Sequence, residues 1–121
     1  MIDFRVRPPA KGFLNTIMYT DSARRNRYTR QLGLEPAPSA EAKSMDLLLK
    51  EMDAAGITLG AITARVSDYF GSVSNADVAE IVKAHPGRFV GIAAIDPTNR
   101  KAAIRDIEQA LALGFKGVNI E

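Results

Sequence analysis

The sequence predicts an α/β fold in which parallel strands alternate with covering helices. Short apolar runs rich in β-branched residues recur along the chain, stretches of helical periodicity separate them, and capping residues and glycines punctuate the joins. A parallel neighbour cannot be reached through a tight turn, so each helix must serve as a crossover.

Ile2 to Val6 supplies the first strand. The stretch 8–38 then shows no sustained period, contains Pro8-Pro9, Gly12, Gly33 and the Pro36/Pro38 pair, and is long for a connection inside a compact domain. It also carries Phe13, Leu14, Ile17, Met18, Tyr19, Tyr28 and Leu32, too many large apolar residues for a solvated linker. A packed excursion holding a short helix is expected. Ser39 is then expected to cap a helix, with Glu41 at its positive end and Met45, Leu48, Leu49 and Met52 on one apolar face. Gly56 ends it, and Ile57 to Ala64 reads as a buried second strand. The unit repeats. Ser74 and Asp77 form a capping signal, Val78, Ile81 and Val82 stripe the next helix, Pro86-Gly87 stop it, and Phe89 to Ile95 forms the third strand. After Asp96-Pro97-Thr98, Ile104, Ile107 and Leu111 are expected to face the sheet from a third helix, with Gly114 as its cap and Phe115 to Ile120 as the fourth strand.

Composition narrows the function classes. With 121 residues, 46% hydrophobic, 25% charged and no cysteine, the chain is one ordinary globular unit, without disulfides, thiolate nucleophile or cysteine-built metal cluster. Sixteen basic against 14 acidic residues leave a net charge of +2, too even for a whole-molecule argument for nucleic acid or membrane. The charge is local instead. Residues 1–34 hold Arg5, Arg7, Lys11, Arg24, Arg25, Arg27 and Arg30 against Asp3 and Asp21, which points to local anion binding. The longest uncharged apolar run, Phe89 to Ile95, falls well short of the roughly 20 residues that span a bilayer. The first residues lack the apolar segment and cleavage site of a secretory signal, so the cytoplasm is the expected location. Isolated glycines give no nucleotide-binding loop, and a lone His85 at a helix end gives no Ser-His-Asp set.

Four strands and three full helices are thus expected, with the first and fourth strands at open edges and no helix after the last one. A (β/α)8 TIM barrel takes roughly 250 residues, so residues 1–121 read as the N-terminal half of one barrel domain, cut short. The expected partners are a missing C-terminal half or further copies of the chain in a homo-oligomer.

Several motifs in this order resemble the amidohydrolase-related TIM-barrel family. They are Met52-Asp-Ala-Ala-Gly-Ile57, Ser74-Asn75, His85-Pro-Gly-Arg-Phe-Val-Gly-Ile92, Asp96-Pro97 and Leu113-Gly-Phe-Lys-Gly-Val118. The opening Ile2-Asp-Phe-Arg-Val-Arg7 is similar to the family's first-strand signature, Ile-Asp-x-His-x-His. The resemblance implies a metal-dependent hydrolase or a non-oxidative decarboxylase (carboxy-lyase) acting on a small carboxylate substrate. It also implies that further metal ligands lie on strands five, six and eight, so this segment alone is expected to be catalytically silent.

Arginines replace both signature histidines. Alternation directs side chains i and i+2 to one face, so Arg5 and Arg7 are expected at the barrel mouth. A guanidinium has five donors, no acceptor and a permanent charge, so it repels a cation and forks onto carboxylate or phosphate oxygens. No metal is therefore expected on this segment, and a divalent ion such as zinc would need ligands in a C-terminal half. Because barrel sites form at the C-terminal ends of strands, Arg65 and Asn119 join Arg5 and Arg7 as candidate substrate-binding residues, and Asp96 and Glu121 are the catalytic candidates. The basic run 24–30 would reinforce the grip as a lid. Two alternatives stand beside this reading. One is an inert barrel homologue that binds an anion; the other is a nucleic-acid module built on the Arg/Tyr run, the weaker of the two.

Overall fold

The computed structural model describes residues 1–120. Four strands, β1 (Ile2–Val6), β2 (Leu59–Thr63), β3 (Phe89–Ala94) and β4 (Gly117–Asn119), form one sheet in sequential order, every neighbouring pair parallel. The predicted class and strand count hold. Three strands, β2, β3 and β4, are shorter than the apolar runs that announced them, because burial of a side chain does not require its backbone to join the ladder. Phe115, 5% exposed, packs its ring against Gly91 of β3, where a Cβ would lie 2.6 Å from the ring. Gly91 is thus a point of close approach.

Helices α4 (Met45–Ala54), α5 (Asn75–Ala84) and α6 (Arg100–Ala112) link the strands. Gly56 and Gly114 follow α4 and α6 at φ +67° and +81°, the left-handed conformation that closes a helix. The α4 start differs from expectation. Ser39 and Glu41 belong to a separate helix, α3 (Pro38–Ala42), and Lys43 breaks the chain at φ +50°. Ser44 then caps α4 by accepting from the Leu47 amide. Ser39 caps nothing: its amide and hydroxyl both donate to the Glu51 carboxylate, so its polar atoms staple α3 onto α4.

The α6 face also differs. Ala103 and Ala110 are buried, whereas Ile104 and Leu111 are 47% and 68% exposed. Of the three expected residues, Ile107 alone is half-buried, and the fully buried positions on this helix are small. On α5 the expectation holds: Val78 and Ile81 are buried, and the Ser74 hydroxyl accepts from the Asp77 amide.

The excursion holds more than one short helix. A 3₁₀ turn (Lys11–Asn15) leads into α1 (Ile17–Thr20) and α2 (Ser22–Gln31). Phe13 and Tyr19 anchor it in the core, and the Ile17 amide donates to the Phe70 carbonyl at 3.0 Å. By contrast, α2 buries only a polar residue, Asn26.

Candidate functional site

A cleft of about 840 Å³ opens where β1, β2 and β4 end. Arg5, Arg7, Thr63, Arg65 and Asn119 line it from the strand ends. Phe13, Ile17, Met18, Arg24, Arg25, Asn26 and Tyr28 line it from the excursion, with Phe70 and Val73 from the segment after β2. All four predicted substrate-binding residues therefore share one cleft. No aspartate or glutamate stands among its described lining residues.

Local chain chemistry aims the first pair. Val6 buries into the core between Arg5 and Arg7, leaving both arginines on exposed positions. A register irregularity lies between Asp3 and Val6, and the Arg5 amide donates to the Asp3 carboxylate at 2.9 Å. The Arg7 carbonyl accepts from the Tyr19 hydroxyl at 2.6 Å. Burial pushes that phenol up to about 12, so it remains a donor throughout the physiological range.

Arg65 pairs its backbone with Val73 in both directions at 2.9 Å, closing the loop between them. Its guanidinium carbon lies 5.0 Å from the Phe70 ring centroid, and that of Arg24 lies 5.6 Å from the same ring. Arg24 also sits 5.5 Å from the Tyr69 ring and donates to the Tyr69 hydroxyl at 3.1 Å. Cation–π attraction thus draws arginines from α2 and from the end of β2 to one aromatic side chain. Phe70 was absent from the sequence candidates; the only available signal was an aromatic pair, Tyr69-Phe70, in the loop after β2.

Arg25 is committed elsewhere. It pairs with Glu41 and donates to the Met18 carbonyl at 3.1 Å. The Asn26 amide also donates to Glu41, at 2.7 Å, and Asn26 and Arg25 together hold that carboxyl below the ordinary carboxylate range. Two arginines of the basic run are therefore used inside the molecule, one on Tyr69 and one on Glu41.

The catalytic candidates fare differently. Asp96 is exposed, lies outside the cleft lining, and accepts from the amide and hydroxyl of Thr98, which lower its carboxyl below the usual range. Its geometry is that of an Asx turn. Glu121 lies outside the described residues. Asn75 is a clamp: its side-chain amide donates to the Ala94 carbonyl at 3.0 Å and its oxygen accepts from the Ala94 amide at 2.8 Å. His85 ends α5 and meets Phe89 edge-to-face at 6.0 Å.

Among the described residues no group of three or more His, Cys, Asp or Glu side chains could hold a metal ion. Arg5 and Arg7, at the positions of the paired imidazoles, do not fit a divalent cation, since neither offers a lone pair. Also among the described residues, no helix is long and apolar enough to cross a membrane.

An amidohydrolase family model matches residues 2–121. A solved structure, described as an uncharacterized TIM-barrel protein of Bordetella bronchiseptica, superimposes with a TM-score of 0.90 at 52% identity. The match covers 99% of this chain and 43% of that one, so the chain spans less than half the length of its structural relative, as a partial barrel. No curated protein matches the chain.

Proposed function

The chain belongs to the amidohydrolase family, and from that premise we propose that it supplies the substrate-gripping half of a barrel enzyme acting on a small carboxylate by hydrolysis or decarboxylation. The observation that supports this reading most is the convergence of Arg5, Arg7, Arg65 and Asn119 on one cleft at the strand ends. Guanidinium groups there orient a carboxylate through forked, charge-assisted hydrogen bonds, and the amide of Asn119 serves a neighbouring oxygen. The excursion roofs the cleft with Phe13, Ile17 and Met18, which exclude water and strengthen those contacts. No step is assigned to a metal on this segment, because the arginines that replace the signature histidines cannot ligate one.

Isothermal titration of the protein with benzoate and 4-hydroxybenzoate, beside turnover assays on hydroxybenzoates and lactones, tests the proposal. Charge-assisted bonds are each worth about 1.5–3 kcal/mol, so Arg5→Gln and Arg7→Gln are each expected to weaken binding by roughly ten- to a hundredfold. Equal affinity in the variants and the parent would refute it. A second reading, a barrel that binds an anion without reacting, is favoured by the loss of both signature histidines. Carboxylate binding without turnover of any substrate in the full-length protein would select it.

A further inference from the structure

We propose that α2 is a gate on the cleft, held shut by a polar latch and able to swing clear on its own while the rest of the excursion stays docked. The inference concerns access to the cleft and holds whatever ligand the cleft takes.

Two stretches of the excursion are held in unlike ways. The stretch before α2 is fixed by apolar burial and by backbone: Phe13 and Tyr19 lie in the core, and the Ile17 amide donates to the Phe70 carbonyl. Nothing of that kind holds α2. Its one buried residue is the polar Asn26, and its large side chain, Tyr28, is already 69% exposed. Among the described residues, the backbone hydrogen bonds of 22–34 all end within 21–34, and only α1, the neighbour in sequence, packs against α2 over more than isolated contacts.

Polar side chains join α2 to the body instead. Arg25, with its side chain 10% exposed, pairs with Glu41 of α3 and donates to the Met18 carbonyl of α1. Asn26 donates to the same carboxylate at 2.7 Å, and Arg24 donates to Tyr69 at 3.1 Å. A helix held in this way exposes little new apolar surface when it lifts, and segments with few apolar contacts open at a fraction of the cost of global unfolding. The chain at either end permits the swing. Asp21 departs from helical geometry at φ −125°, ψ 88°, and Gly33 turns the exit at φ +70°, with nothing within 4 Å of the place a Cβ would occupy. Arg24, Arg25, Asn26, Tyr28 and Thr29 all line the cleft, so lifting α2 removes one wall and leaves Phe13, Ile17 and Met18 in position. Neutralising Glu41 would strand the Arg25 guanidinium, nearly buried, without its counter-charge, and so favours the open state.

Hydrogen exchange of the full chain, followed by mass spectrometry, tests the gate. Amides of 22–31 are expected to exchange at least about tenfold faster than those of α5, which buries Val78 and Ile81, with 11–20 remaining slower than 22–31. Glu41→Gln is expected to raise exchange in 22–31 by roughly a further tenfold and to leave α5 unchanged. Sodium chloride raised from about 0.05 to about 0.5 M, which needs no substitution, is expected to raise it about threefold. The sequence has no cysteine, so Thr63→Cys places a single thiol in the cleft. Its reaction with uncharged N-ethylmaleimide is expected to quicken at least about threefold when Glu41→Gln is added. Exchange in 22–31 that matches α5, that ignores salt, or that rises with Glu41→Gln only in step with α5 overturns the gate. So does a thiol whose rate is indifferent to Glu41→Gln.

Discussion

Arg7 carries the chain out of β1 into Pro8 and Pro9, residues without an amide hydrogen, so its own neighbours cannot continue the strand's hydrogen bonding. Tyr19 meets the Arg7 carbonyl from the excursion and sets the direction in which that residue leaves the sheet. Tyr19→Phe removes one oxygen and is expected to cost about 1 kcal/mol of stability, read from the urea midpoint. The pH dependence has a definite sign. Burial pushes the folded phenol up to about 12 from the ordinary tyrosine value of 10.0, so its contribution is complete below 10.0 and is lost as pH rises toward 12. The phenylalanine variant should lack that decline. Glu41 titrates in the opposite sense, since Asn26 and Arg25 hold its carboxyl below the ordinary glutamate value of 4.5. Its contribution to docking α2 is present above 4.5 and is lost as pH falls further, so the stability difference between the parent and Glu41→Gln should shrink in acid. A difference that grew on acidification would contradict the Arg25–Glu41–Asn26 latch. Arg5, Arg7, Arg65 and Asn119 were legible as neighbours because each ends a strand, and one rule of barrel architecture selects all of them. Phe70 was not, because loop residues carry no period that ties them to a site.

The repeating helix, glycine and strand units were legible wherever apolar side chains recur on the face that meets the sheet, as with Val78 and Ile81 of α5. Where small or polar residues do the packing, the pattern misleads. On α6 two of the three expected stripe residues, Ile104 and Leu111, are exposed and Ile107 is half-buried, while the fully buried positions are Ala103 and Ala110. On α2 no apolar stripe exists to be found, because the helix is docked by Arg24, Arg25 and Asn26. The break between α3 and α4 escaped notice for another reason: a lysine, not a glycine, adopts the left-handed conformation at 43. The close approach at β3 gives this scale its prediction. Gly91→Ala would place a methyl against the buried Phe115 ring, and overpacking of that kind is expected to cost about 1–3 kcal/mol, measurable by chemical denaturation. An unchanged midpoint would show that the ring yields.

Across the whole sheet, the two outer strands present apolar side chains to solvent. Ile2 and Phe4 of β1 are 53% and 81% exposed, and Val118 and Ile120 at the β4 side are 46% and 61% exposed. Parallel strands are ordinarily covered on both faces, so open edges of this composition invite pairing with further strands. The 121-residue chain on its own is therefore expected to self-associate as its concentration rises in sedimentation velocity. Phe4→Lys combined with Val118→Lys should reverse the association; a monomer at every concentration would argue against these edges as contact surfaces. At the opposite extreme of order stands the Asn75 clamp, whose side-chain amide binds both backbone groups of Ala94 as a neighbouring peptide would. The end of β3 is thereby moored before the following turn begins. Foreign segments grafted between Ile95 and Asn99 should consequently leave the register of the third strand undisturbed, making that turn the natural place to splice new sequence into the rim.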